Sequence, residues 1–249
     1  MKKYLVTIWM TVLWYLLLVN VYALDVPSFL RMNGGARMWF TELSGDLVQG
    51  DRTKIDLIEN IGLTKSLLVW EFFGSARVNN IHVFRLRVEP SSLYNQSPTD
   101  SSLKVNSLRL GYDADLVMTP QLLFGSNIDL DILRVGTKVR SASVAGLLYN
   151  YDESDTKAIP SIGLHGTFYP IVEGISLRPN VSGRINWWNY QSTDMWDAEV
   201  ASAVDIPVNP LWTWTIGGGY RFWHTKFRRD HDTLDMNRSG FFLETSILF

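Results

Sequence analysis

The sequence predicts an all-β protein: a transmembrane antiparallel up-and-down β-barrel of about ten strands, with eight and twelve as the alternative counts. Three observations carry this. Past residue 23 no apolar run is long enough for a spanning helix, although 46% of the residues are hydrophobic. The apolar residues recur instead at every second position. The connections between these alternating segments are sorted, short ones alternating with longer and more polar ones, as the two rims of a barrel require. The composition adds exclusions. The chain has no cysteine, which removes disulfide frameworks, zinc ribbons, iron–sulfur sites and thiol catalysis. Its 25 acids nearly balance its 23 bases, which argues against a nucleic-acid-binding surface.

Met1 to Ala23 reads as an export signal. Lys2 and Lys3 supply a positive start, Tyr4 to Val19 an uncharged apolar run, and Val21-Tyr22-Ala23 a small-residue cleavage site. Leu24 is then the first mature residue, and without a cysteine there the amino terminus carries no lipid. A retained membrane anchor is the alternative. Residues 24–34 are expected as a periplasmic segment and residues 35–249 as the barrel.

The candidate strands are 35–45, 65–76, 80–90, 103–118, 121–140, 160–170, 174–188, 195–206, 211–227 and 239–249. Strand seven shows the pattern best: Ile175, Leu177, Val181, Ile185 and Trp187 alternate with Ser176, Arg178, Asn180, Ser182, Arg184 and Asn186. Strands four, eight and nine alternate in the same way. Strand two does not, because Leu67-Leu68-Val69-Trp70-Glu71-Phe72-Phe73 is apolar on both faces. Tight turns are expected at Arg77-Val78-Asn79, Thr119-Pro120, Ile171-Val172-Glu173 and Pro207 to Pro210. Long loops are expected at Asp46 to Thr64, Ser91 to Ser102, Ser141 to Ile159, Asn189 to Asp194 and Arg228 to Arg238.

If the apolar faces meet lipid, the polar faces line the lumen. These carry Arg85, Arg87, Glu89, Arg109, Asp113, Asp115, Arg178, Arg184, Glu199, Asp205, Arg221 and Glu244. Strands seven and eight fold back near residues 191 and 192, so opposed residues have numbers summing to about 383. That register sets Arg184 against Glu199 and Arg178 against Asp205, and mixed-sign pairs of this kind fill a narrow lumen. Trp39, Trp187, Trp196, Trp212, Trp214 and Tyr220, with Phe222 and Trp223, fall mostly toward strand ends and are expected as an interfacial girdle.

The carboxyl-terminal segment places Phe241, Leu243, Thr245, Ile247 and Phe249 on one face of a last strand. Here the sequence resembles Gram-negative outer-membrane β-barrel proteins, whose closing strand ends in an aromatic residue read by the barrel assembly machinery. Gly35 to Gly45, Lys54-Ile55-Asp56-Leu57 and Pro160 to Gly166 resemble landmarks of a largely uncharacterised group of small proteobacterial barrels. The resemblance implies an outer-membrane location and a bilayer containing lipopolysaccharide as the surroundings. It implies no cofactor, no metal and no catalytic residue.

Function is therefore expected to be non-enzymatic, with a side-chain-filled lumen and long outer loops for envelope or surface interaction. Two alternatives stand beside it, a narrow channel and a rim-site hydrolase built from His224, His231, Asp230, Asp232 and Asp235. Against the hydrolase, no G-x-S-x-G, H-E-x-x-H, P-loop or dinucleotide fingerprint occurs. His82 and His165 stand alone on strands, where a hydrogen-bonded histidine is commoner than a ligand.

Overall fold

The computed structural model describes residues 30–49, 53–96, 101–144, 147–171, 177–190, 193–209, 211–229 and 232–249. Eleven strands follow one another: β1 (Arg31–Gln49), β2 (Thr53–Asp56), β3 (Ser66–Val78), β4 (His82–Gln96), β5 (Ser101–Met118), β6 (Leu122–Val144), β7 (Leu147–Phe168), β8 (Arg178–Tyr190), β9 (Thr193–Pro207), β10 (Thr213–Arg229) and β11 (Asp232–Leu248). All pairings are antiparallel between chain neighbours, except that β2 is a short addition to β1, so that β3 pairs directly with β1. β11 returns to β1 and closes a barrel of ten strands. The closing contact reaches the last residue: Met32 N donates to Phe249 O at 2.8 Å, and Phe249 N to Met32 O at 2.9 Å. The signal segment lies outside the described residues, and β1 begins at Arg31, four residues ahead of the expected start.

The register sets the barrel's width. Following opposed residues once around the wall from Met32 returns to β1 at Ser44, twelve residues further on. Ten strands with that stagger tilt by about 40° and close at a backbone radius of about 10 Å. Inward side chains from opposite walls meet across such a span.

One rim carries tight turns whose chemistry is local. Asn79 and Asn80 take positive φ angles of 52° and 58° between β3 and β4. Thr119 Oγ1 accepts from Leu122 N at 2.9 Å before β6, and Asn209 Oδ1 accepts from Leu211 N and Trp212 N at 2.8 and 2.9 Å before β10. The turn at Ile171-Val172-Glu173 lies partly outside the described residues. The opposite rim differs from expectation. Most of the residues read as long loops are strand: β6 and β7 run for 23 and 22 residues, β4 reaches Gln96, and β10 and β11 continue to Arg229 and from Asp232. Polar side chains on the outer face of an extended hairpin read as loop because they break the expected apolar alternation.

The outer wall explains this. Toward the turn rim its outward residues are apolar apart from Ser126, Ser202 and Thr245, in runs of nine to eleven residues: Met32–Phe40 on β1, Leu122–Ile132 on β6, Pro179–Trp187 on β8, Trp196–Ile206 on β9, Trp214–Phe222 on β10 and Phe241–Phe249 on β11. Directly above come Glu42, Arg134, Asn189, Asp194, His224 and Ser239 on the same outer face. Across this boundary the interior changes in the opposite sense. Leu43, Leu47, Val105, Leu133, Val135, Met195, Trp223, Phe227 and Met236 point inward and form a buried apolar core in the hairpin half of the lumen. The expectation that polar faces line the lumen is thus corrected for this half: the apolar core fills much of it, with Glu153, Asp155, Lys157 and Asp232 beside Leu133, Val135 and Phe227. Strand two's double apolar face follows, since Leu68, Trp70 and Phe72 face out while Val69 packs into the inner core.

β3 and β4 pair only from Phe72/Val88 to the turn, so their upper parts diverge. The segment 57–64 occupies the divide. Leu57, Ile61 and Leu63 are buried in the apolar core, and Thr64 donates through Oγ1 to Asn95 O on β4 at 2.7 Å. Within the expected loop Asp46 to Thr64, β1 runs on to Gln49, β2 pairs back onto it, and 57–64 form an inward-folded strap.

Candidate functional site

Where outward positions are apolar, the intervening residues of each strand point to the axis, and many of them are charged. Arg37 on β1 is gripped by Glu199 of β9 at 2.6 and 2.8 Å and by Glu244 of β11 at 2.6 Å. Arg221 on β10 reaches Glu71 of β3 at 2.5 Å and Asp197 of β9 at 2.9 Å. Arg109 on β5 joins Asp131 of β6, at 2.8 Å, to Asp197. A second set links Arg184 of β8 and Arg85 of β4 through Asp113, both at 2.7 Å, and Arg85 continues to Asp129 at 2.7 Å. Nearer the turn rim, Asp115 accepts from Arg77 and lies 2.7 Å from His165 Nε2. At the upper edge Arg238 donates to Glu89 at 2.9 and 3.1 Å.

Among the described residues, this lattice comprises eight arginines, nine carboxylates and no lysine. The choice of arginine is physical: its planar fork holds two carboxylates at once, and it stays charged when dehydrated. Aromatic rings cover the lattice from above. Arg37 lies 3.7 Å over the Phe242 ring, and Arg221 and Arg238 each lie 4.7 Å from the Trp39 ring.

The sequence-identified residues fall into place unevenly. Arg184 opposes Glu199, and Arg178 opposes Asp205, along β8 and β9. Neither opposition is an ion pair: Arg184 bonds Asp113, Glu199 bonds Arg37, and Asp205 accepts from Thr215 Oγ1 at 2.7 Å. Arg221 and Glu244 both belong to the lattice. Trp187, Trp196, Trp212, Trp214 and Tyr220 face outward, as do Phe241, Leu243, Ile247 and Phe249. Trp39 does not, and the girdle assignment is corrected there. It is 1% exposed inside the lumen, its indole N–H donating to Gly240 O at 3.2 Å, and Trp223 is likewise buried inside. Gly240 is required at that contact, because a Cβ there would lie 1.8 Å from Phe40 O.

Of the candidate rim residues, the structure describes His224, Asp232 and Asp235. His224 points outward, its Nδ1 2.8 Å from Asn237 Oδ1 and 3.6 Å from Asp235. Asp230 and His231 lie outside the described residues. His82 pairs with Tyr112 through Nδ1 at 2.7 Å on the outer wall. Among the described residues no group of three His, Asp or Glu side chains is arranged to hold a metal.

The chain is similar to solved β-barrels. The outer membrane protease OmpT from Escherichia coli matches at 9% identity with a TM-score of 0.48, over 91% of this chain and 99% of that one. A Pseudomonas aeruginosa FadL homologue matches at 8% identity and 0.39, over 88% and 90% of the two chains. Neisserial surface protein A matches at 10% identity and 0.36, over 87% and 95%. No protein-family model and no curated protein matches the chain.

Sequence reasoning missed Arg37, Arg77, Glu71, Asp129, Asp131, Asp197 and Arg238. Arg77 and Arg238 fell in segments read as a tight turn and a long loop, and the others stand in strands whose inward residues are partly apolar, so polar alternation alone did not mark them. The discoverable signal was a lone charge in phase with the inward set, as Glu71 is between Val69 and Phe73.

Proposed function

We propose that the protein is an integral outer-membrane β-barrel, non-enzymatic, whose lumen is closed by its own side chains and whose hairpins meet envelope or surface partners. The observation that carries this reading is the outer apolar belt. Runs of nine to eleven residues tilted by about 40° rise roughly 23–28 Å, the height of a barrel's lipid-facing band. Above the belt the wall is polar outside and apolar inside, the arrangement expected where a barrel leaves the bilayer. The turn rim then faces the periplasm and the hairpin rim the exterior, where lipopolysaccharide surrounds the wall, and the barrel assembly machinery is the partner during insertion.

Closure of the lumen follows from the lattice below and the apolar core with its strap above. Purified protein in planar bilayers is expected to show no large, steady porin-like conductance. Steady openings of that size would replace the closed-lumen reading with a channel. Recovery of the protein in the soluble periplasm rather than in outer-membrane fractions would overturn the membrane reading itself.

A further inference from the structure

Beneath the charge lattice, toward the turn rim, lies a cavity of about 240 Å³ onto which Arg37, Arg85, Arg87 and Arg184 open, with Glu199 and Glu244. Three of these guanidiniums are matched. Arg37 makes four hydrogen bonds to Glu199 and Glu244, Arg85 three to Asp113 and Asp129, and Arg184 two to Asp113. Arg87 is not matched. Its one contact runs from Nη1 to Glu199 Oε2 at 3.4 Å, an oxygen that Arg37 already holds at 2.6 Å. Directly opposite it on β5 stands Arg109, so like charges face each other across the strand pair. The Arg87 side chain is 14% exposed and lines the cavity, so the donors that Glu199 leaves idle are open to an anion there.

We propose that this cavity is a binding site for a small oxyanion, a carboxylate or a phosphate, held by the unused fork of Arg87. The hydroxyls of Ser75, Thr167 and Ser182, which also line the cavity, supply further donors. Arg87's planar fork suits an oxyanion's paired oxygens better than it suits a monatomic halide. Among the described residues, the cavity opens toward the turn rim. The cavity shares Asn33, Phe73, Ser75, Ser182 and Glu244 with a second one of about 480 Å³, and Arg31 and Arg77 line that approach. Above, the lattice and the apolar core close the way, so the site is a blind pocket entered from the turn side. The inference rests on the barrel's interior and is independent of the membrane reading.

The test uses the whole barrel folded in detergent, with inorganic phosphate, acetate or chloride added at constant ionic strength. The thermal midpoint is expected to rise saturably with phosphate or acetate and not with chloride. A response to phosphate alone assigns a tetrahedral ligand, and a response to acetate alone a carboxylate. Arg87→Gln should abolish the response, and Arg87→Lys, which keeps charge but loses the fork, should weaken binding about tenfold or more. Broadening of the phosphorus resonance of inorganic phosphate by the unaltered protein, reversed by acetate, supports the site even if the variants fail to fold. No saturable response in the unaltered protein, an equal response to chloride, or an undiminished response in Arg87→Gln overturns it.

Discussion

Arg184 and Glu199 stand opposite each other on adjacent strands, yet each makes its ion pairs elsewhere. The reason lies in side-chain length and barrel width. Opposed β-carbons are about 5 Å apart, while an arginine reaches further than that toward the axis, where residues from strands not adjacent in the wall converge. Register was therefore legible in the sequence, and partner choice was not. In double-mutant cycles with Arg184→Gln, Asp113→Asn and Glu199→Gln, coupling of Arg184 to Asp113 is expected at about 0.5–3 kcal/mol and to exceed that to Glu199. A larger coupling to Glu199 would reject the lattice described here. Trp39 gives a second contrast at this scale. Because it fills the lumen and bonds Gly240 O, Trp39→Ala should cost about 3–5 kcal/mol in urea unfolding, whereas outward Trp187→Ala should cost far less. Similar losses for the two would return Trp39 to the girdle.

Individual strands change character partway along, and this decided what could be read from them. On β10 the apolar residues are even-numbered from Trp214 to Phe222 and odd-numbered from Trp223 to Phe227, with no break in pairing to β11. On β6 the same reversal follows Ile132, where Leu133 and Val135 turn inward beside outward Arg134. Alternation was legible on β5, β8, β9 and β10 because each keeps one phase across the belt, and was not on β3, which is apolar on both faces. The strand extensions were not, since a reversal of phase in a continuous strand looks like the end of the strand. The strap 57–64 was hidden for another reason: its apolar residues follow no period and find their partners only in the closed barrel. Replacing Ile61 by Asp places an unpaired charge in the apolar core and is expected to lower stability by several kcal/mol. The exposed Glu59→Gln in the same strap should change little. Equal urea midpoints for the two variants would show that the strap is not packed as described.

At the scale of the molecule, closure depends on a single seam. β1 and β11 are the two ends of the barrel chain, and the backbone bonds between Met32 and Phe249 are the last of that ladder on the turn side. Removing Phe249 deletes both bonds and an outward ring. It should impair assembly, followed by the mobility shift between unheated and boiled samples, much more than Leu248→Ala. Equal folding of the deletion and the parent would show that the seam closes without them.

On the membrane reading proposed above, the reversal of polarity along the wall also sets the thickness of bilayer the protein tolerates. A barrel whose outer face faded gradually from apolar to polar would settle into bilayers of various depths. Here, six of the ten strands carry Glu42, Arg134, Asn189, Asp194, His224 or Ser239 immediately above the belt, so the lipid-facing surface has a sharp upper edge. Drawing the Arg134 position into hydrocarbon would cost up to about 2–4 kcal/mol, falling near the interface. On that reading the lipid adapts to the protein, thinning around it wherever the bilayer is too deep. Folding from urea is accordingly expected to be fast and complete in vesicles of short-chain phosphatidylcholine and to fail progressively as the acyl chains lengthen. A yield indifferent to chain length would mean that the edge imposes no such limit.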